Sequence, residues 1–249
     1  MSANLESASG PGDGGDLLVR NIGRLLTLGG YRRPRAGKDL LDLGVQDGAA
    51  VLIEGGIVSA VGPEVEVQRE ARGVDVLDAR GRLVLPGLVD AHTHAAFVGS
   101  RAGELADRLR GKSYREITRE GGGILRTVRA VRAASEEEIV EETLPRLRRM
   151  IAHGTTTAEV KSGYGLDGES ETKMLAAIGQ LGDKVPTTVV PTFLGAHAIP
   201  PEFASDVDGY VDTLVDTLIP AAADQGLARY CDVFVEGGFF SPEQGRRIL

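Results

Sequence analysis

A single cysteine, Cys231, in a chain of 249 residues excludes an internal disulfide and fits a reducing compartment. It lies between Tyr230 and Asp232 at the start of an apolar run, where a buried structural thiol is expected and a nucleophile is not. Positive charge is also scarce. The 28 Lys and Arg stand against 36 Asp and Glu, a net charge of -8, so a phosphate backbone finds no general attraction and no nucleic-acid partner is expected. No stretch reaches the roughly 18 uncharged apolar residues that a bilayer span takes. The opening MSANLESASGPGDGGD has neither the cationic start nor the apolar core of a signal peptide. A soluble, cytoplasmic protein without a membrane partner is therefore expected. Tryptophan is absent, but with 42% hydrophobic residues the composition is that of a globular protein able to bury one large core or two small ones.

What is present changes character along the chain. Residues 1–15 are rich in Ser, Gly, Asp and Pro and too poor in apolar groups to offset the entropy of ordering them, so a disordered tail is expected. From 16 to 86 the pattern is short β-branched runs broken by glycine, which reads as a small β-rich, sandwich-like domain. Within it, Gly55-Gly56 between two apolar runs marks a hairpin. After Pro86-Gly87, strands alternate with amphipathic helices, the mark of a parallel α/β sheet. Strands are expected at 83–94, 155–165, 187–197 and 230–237, and helices over 136–152, 169–182, 206–224 and from Ser241 onward. Ser135 with Glu138 forms a capping box, and His153-Gly154 closes the same helix, glycine as its C-cap and histidine at the negative end of its dipole. An open doubly wound sheet would carry a glycine-rich phosphate loop after its first strand, where this chain has HTHAAF. Residues 87–249 thus read as the first half of a TIM-type (β/α)8 barrel, about four βα units, truncated at Leu249.

Only four histidines occur, and two of them, His92 and His94, lie one residue apart. On an extended strand that spacing points both imidazoles to one face, and neutral imidazole is the commonest metal ligand. Two solvated histidines on a sheet face are the plainer alternative. Catalytic groups of a barrel gather at the C-terminal ends of its strands. That rule selects His92 and His94 after the first strand, Lys161 and Tyr164 after the second, and His197 after the third.

At these positions the sequence resembles a known family. PGLVDAHTH resembles the metal-binding opening of the amidohydrolase superfamily. HTHAAFVGSR, GKSYREI, GGGILRTVRAVRAASEEE, HGTTTAEVKSGYGL and PTFLGAHAIPPE, in that order, are similar to the imidazolonepropionases within it. The resemblance implies hydrolysis of the cyclic amide of 4-imidazolone-5-propanoate to N-formimidoyl-L-glutamate, a step of histidine degradation. It implies one Zn or Fe ion held by His92 and His94, with further ligands and the general base beyond Leu249, so that no catalytic residue is identifiable in this chain. A metal ion suits the chemistry because it acidifies water and polarises a carbonyl, but a catalytic site takes three protein ligands plus water, and two are present.

By the same resemblance Arg101 pairs with the propionate carboxylate, and Tyr114, Tyr164 and His197 contact the substrate. From the residues alone, Arg101 is also a surface arginine, the tyrosines are also packing residues, and His197 is also a core histidine. Lys161 is expected to pair with Glu159 rather than to bridge metals. The partners implied are a small-molecule substrate and, in the full-length protein, a second copy as a homodimer. Two other functions stay open at this point: another amidohydrolase such as an aromatic deaminase, and a non-catalytic half-barrel that pairs with a partner chain.

Overall fold

The computed structural model describes residues 15–30, 33–113, 116–117 and 120–249. The expected tail, but for its last residue, lies outside them, as do Tyr114, Arg115 and Arg119. The chain divides into two compact units, Met1–Pro86 and Gly87–Leu249.

In the first unit, β1 (Leu17–Arg20), β4 (Ala49–Glu54), β5 (Ile57–Pro63) and β6 (Asp75–Asp78) form a sheet of order β5-β4-β1-β6. A smaller sheet joins β2 (Arg24–Leu26), β3 (Val45–Gln46) and β7 (Leu83–Val84) in the order β3-β2-β7. β4 and β5 form the expected hairpin, turned by Gly55 at φ 56° and Gly56 at φ 78°. Two successive positive φ values twist a two-residue loop to match its strands, and glycine takes them without steric cost. β4 is apolar on both faces because both are covered. Ala49 and Val51 pack with Val19, Ile22 and Leu25, whereas Ala50 and Leu52 pack with Leu18 and Val67. Val67 belongs to a helix, α1 (Glu64–Glu70), which the sequence pattern did not announce. Its EVEVQRE alternates like a strand and buries Val67 alone.

The second unit is α/β. β8 (Leu88–Thr93), β9 (Thr155–Lys161), β10 (Thr188–Ala196) and β11 (Tyr230–Val233) are parallel neighbours in sequence order, a four-stranded sheet with β8 and β11 at its ends. β8 leads to β9 through α2 (Ala102–Leu109), α3 (Ile124–Ala133) and α4 (Glu136–Ala152), and α5 (Gly168–Leu181) leads to β10. Before β11 the expected single helix is three pieces: α6 (Val207–Thr213), a π-helical turn (Leu214–Leu218) and α7 (Ile219–Asp224). α8 (Pro242–Ile248) follows β11. The expected capping box of Ser135 with Glu138 forms, and a second joins Ser241 with Gln244.

One face of this sheet carries the core. Ile139 and Leu147 from α4, Met174, Ile178 and Leu181 from α5, and Ala158 and Val160 from β9 make one cluster. Tyr210, Val211 and Leu214 pack with Phe193, Phe240 and Ile248 in a second. Fully burying one such aliphatic side chain is worth roughly 1.5–3 kcal/mol. The opposite face is open, and here one expectation fails. Cys231 is exposed, not buried, because β11 is the end strand and Cys231 lines a concavity of about 500 Å³ with Val89, Thr157, Val190 and Tyr230. Desolvation by its neighbours still pushes the thiol up to about 11, which keeps it a weak nucleophile. Among the described residues no helix is long and apolar enough to cross a membrane.

Candidate functional site

The strand-end rule brings its residues together. β8 ends at Thr93, with His92 inside the strand and His94 just past it, and its pairing with β9 shifts register between Asp90 and Thr93. A register shift re-aims side chains, so the simple alternation of a strand does not by itself set the two rings. Their centroids lie 5.3 Å apart at 70°. His94 stacks on His197, which follows β10, at 4.6 Å and 17°. Tyr164, in the loop after β9, lies 6.2 Å from His94 and 5.2 Å from His197.

Two cavities meet at this cluster. One of about 300 Å³ is lined by His92, His94, Leu194, His197, Asp232, Val233 and Phe234. The other, about 380 Å³, is lined by Arg101, Ile124, Tyr164, His197, Phe234 and Phe239. His197 and Phe234 wall both. Arg101 is exposed at the N-cap of α2, and its charge is felt by both Tyr164 and His197. Tyr114 lies outside the described residues, so its expected place here has no structural counterpart.

Burial keeps His94, His197 and Tyr164 neutral. Burial, then the neighbouring His197, His92 and Lys161, bring His94 down to about 4. Burial likewise lowers His197, and its Nδ1 lies 2.8 Å from the Gly163 carbonyl. A carbonyl only accepts, so Nδ1 carries the proton and Nε2 keeps a lone pair. Burial raises Tyr164 despite the cations Arg101 and Arg146, so it remains a phenol that can donate. The Nδ1 atom of His94 is buried and, among the described residues, has no hydrogen-bond partner. A buried imidazole nitrogen without a partner can offer its lone pair to a Lewis acid, and with His92 beside it two positions of a ligand set suit a metal ion. Among the described residues no three His, Cys, Asp or Glu side chains converge to hold an ion.

Other side chains hold the site in shape. Lys161 pairs with Glu159 as expected, at 2.6 Å, and also with Asp232 at 2.8 Å. Sequence reasoning missed Asp232, although it stands at the end of the fourth strand, where the rule that found the others points. The Arg146 guanidinium donates to the carbonyls of Ala95 at 3.1 Å and Phe97 at 2.6 Å and lies 3.5 Å over the Phe97 ring, fixing the chain just after His94. The Glu171 carboxylate, wholly buried, accepts from the backbone N–H groups of Gly163, Gly165 and Leu166 and so shapes the loop that carries Tyr164. Burial nonetheless raises its pKa. Gly163 sits at φ 100°, and a Cβ there would stand 2.8 Å from the Leu194 carbonyl oxygen and 3.0 Å from the His197 ring.

Known proteins of similar sequence and fold point to one family. The pattern of the Amidohydrolase family matches residues 75–123. Among curated relatives, the imidazolonepropionase of Symbiobacterium thermophilum is 52% identical over 94% of this chain and 56% of its own length. That of Chloroflexus aggregans is 46% identical over 94% and 57%, and that of Myxococcus xanthus 48% over 94% and 55%. The chain thus spans little more than half the length of these relatives. Of solved structures, the triazine hydrolase from Arthobacter aurescens superposes with a TM-score of 0.53 at 17% identity, over 92% of this chain and 48% of its own. The N-isopropylammelide isopropylaminohydrolase of Burkholderia multivorans gives 0.51 at 20%, over 88% and 52%. At such identity these two likenesses speak for an α/β amidohydrolase fold alone. Family pattern and relatives together match the chain to an N-terminal portion of the longer imidazolonepropionases, within the amidohydrolases.

Proposed function

We propose that the chain supplies the first four βα units of a TIM-type (β/α)8 barrel in a metal-dependent hydrolase that opens 4-imidazolone-5-propanoate to N-formimidoyl-L-glutamate in histidine degradation. Support for the substrate comes from relatives of that name and from the paired cavities, one lined by imidazoles and one by Arg101. His92 and His94 would hold one Zn or Fe ion, with the remaining ligands and the general base in the portion by which the relatives exceed this chain. When bound, that ion acidifies water and polarises a carbonyl.

This chain's own residues bind and orient. The Arg101 guanidinium pairs with the propionate through two parallel hydrogen bonds. Tyr164, kept protonated by burial, donates a hydrogen bond to the substrate. The Nε2 lone pair of His197 accepts from a ring N–H, because its Nδ1 is already committed to Gly163. Hydrolysis adds a water oxygen to the ring carbonyl carbon, the ring C–N bond breaks, and the nitrogen takes a proton. The partners in this reading are a small molecule and a second copy of the full-length protein, and the compartment is the cytoplasm.

The observation that carries the reading is the ring cluster, His94 stacked on His197 with Tyr164 against both. The test is loss of imidazolone ultraviolet absorbance on mixing imidazolonepropionate with metal-loaded protein from the complete reading frame. Turnover should vanish in His92→Ala and His94→Ala. Wild-type protein that leaves this compound intact while hydrolysing another cyclic amide would end the substrate assignment. Full turnover by Arg101→Ala would remove the carboxylate anchor.

A further inference from the structure

Beneath the two histidines a second set of polar groups ties three strands together. β8 is an end strand, bonded on one side only, and its ladder with β9 slips between Asp90 and Thr93. The ladder resumes only at Thr93, which pairs with Val160, so backbone pairing holds the tip that carries His92 and His94 at one residue. Side-chain bonds reinforce that single point at Thr93, the residue between them. Its N–H donates to Glu159 Oε2 at 3.1 Å, and its hydroxyl donates to the Glu159 carbonyl at 2.7 Å. The other carboxylate oxygen of Glu159 accepts from Lys161 Nζ at 2.6 Å, and Lys161 reaches Asp232 on β11 at 2.8 Å, across the intervening β10.

We propose that Glu159 and Lys161 are positioning residues for the His92-Thr93-His94 tip. Lys161 is only 4% exposed and Glu159 is 9% exposed, so this network is shielded and its bonds are stiff compared with surface ones. Burying a lysine between two carboxylates adds little net stability, because desolvation offsets the attraction. Its value is geometric, since it fixes which way Glu159 faces and hence where Thr93 sits. Two carboxylates against one ammonium also leave a net negative charge beside the imidazole pair, which favours a cation there. Groups of this kind behind metal-binding histidines typically change affinity by about 10- to 100-fold when altered. The inference rests on the proposed reading that the two histidines bind an ion.

The test compares the full chain as wild type, Glu159→Gln, Lys161→Met and the milder Thr93→Val, using backbone amide exchange and Co(II) titration. Amide protection at Thr93 and His94 should drop at least about tenfold in Glu159→Gln and Lys161→Met, while peptides from α4 and α5 keep theirs. Cobalt affinity should fall about 10- to 100-fold, with a changed visible spectrum. Thr93→Val, which keeps the amide but loses the hydroxyl, should show a smaller shift of both. Unchanged protection at residues 93 and 94 in Glu159→Gln and Lys161→Met overturns the proposal whatever cobalt does. If His92→Ala and His94→Ala bind cobalt as wild type does, the metal reading falls and the exchange data alone decide the positioning role.

Discussion

The two faces of the β8–β11 sheet are built from the same strands and have opposite physical characters. On β9, Ala158 and Val160 turn to the helices and are fully buried among Ile139, Met174 and Ile178. The alternate residues Thr157, Glu159 and Lys161 line the open concavity. Stability on the helix side comes from packing, which is unforgiving of lost volume. On the open side, side chains are held by ion pairs and hydrogen bonds, which fix direction more than they add free energy. A parallel sheet can thus separate what keeps it folded from what it presents.

The largest effect that would sharpen this contrast is Ile178→Ala on the helix side, expected to cost about 3 to 4 kcal/mol in urea unfolding, as for other fully buried aliphatic truncations. A loss under ~1 kcal/mol would show that the helix face is not the stabilising one. Next, Glu171→Ala leaves the N–H groups of Gly163, Gly165 and Leu166 buried without an acceptor and should cost roughly 2 to 3 kcal/mol. Tyr164 should become more solvated in the same variant, readable by second-derivative absorbance because no tryptophan masks it.

A pH series probes the boundary between the faces. His94, at about 4, and His197 lie below their ordinary value in the folded chain, so the unfolded chain binds more protons between about 4 and 6.5. Stability is then full above about 6.5 and declines as pH falls toward 4. Chemical denaturation at several pH values should show that slope, reduced in His94→Asn, and a flat profile would contradict their burial. The smallest effect belongs to the open face. Val89→Thr, at a side chain 66% exposed, should change stability by no more than about 0.5 kcal/mol.

Features governed by local chemistry were legible in the sequence. Ser135 and Glu138 had to cap a helix because four N–H groups at its start need acceptors, and Gly55-Gly56 had to turn a hairpin. His92, His94, Tyr164 and His197 could be brought together because parallel strands share a direction, so their ends share a rim. What escaped depends on neighbours distant in the chain. Cys231 looked like a core residue because it stands at the start of an apolar run, but exposure depends on which strand lies at the sheet's end. Glu171 and Asp232 are ordinary acids in sequence and acquire their roles only when the loop at 163–166 and the ammonium of Lys161 arrive beside them. α1 was hidden by an alternating valine pattern that suits either kind of element.

Gly163 has a genetic corollary. Every missense change that one nucleotide can make in a glycine codon introduces a β-carbon, and the Leu194 carbonyl already occupies the space that atom would need. Drift at this codon thus has no conservative step available, and variation around the tyrosine loop must come from elsewhere in the gene.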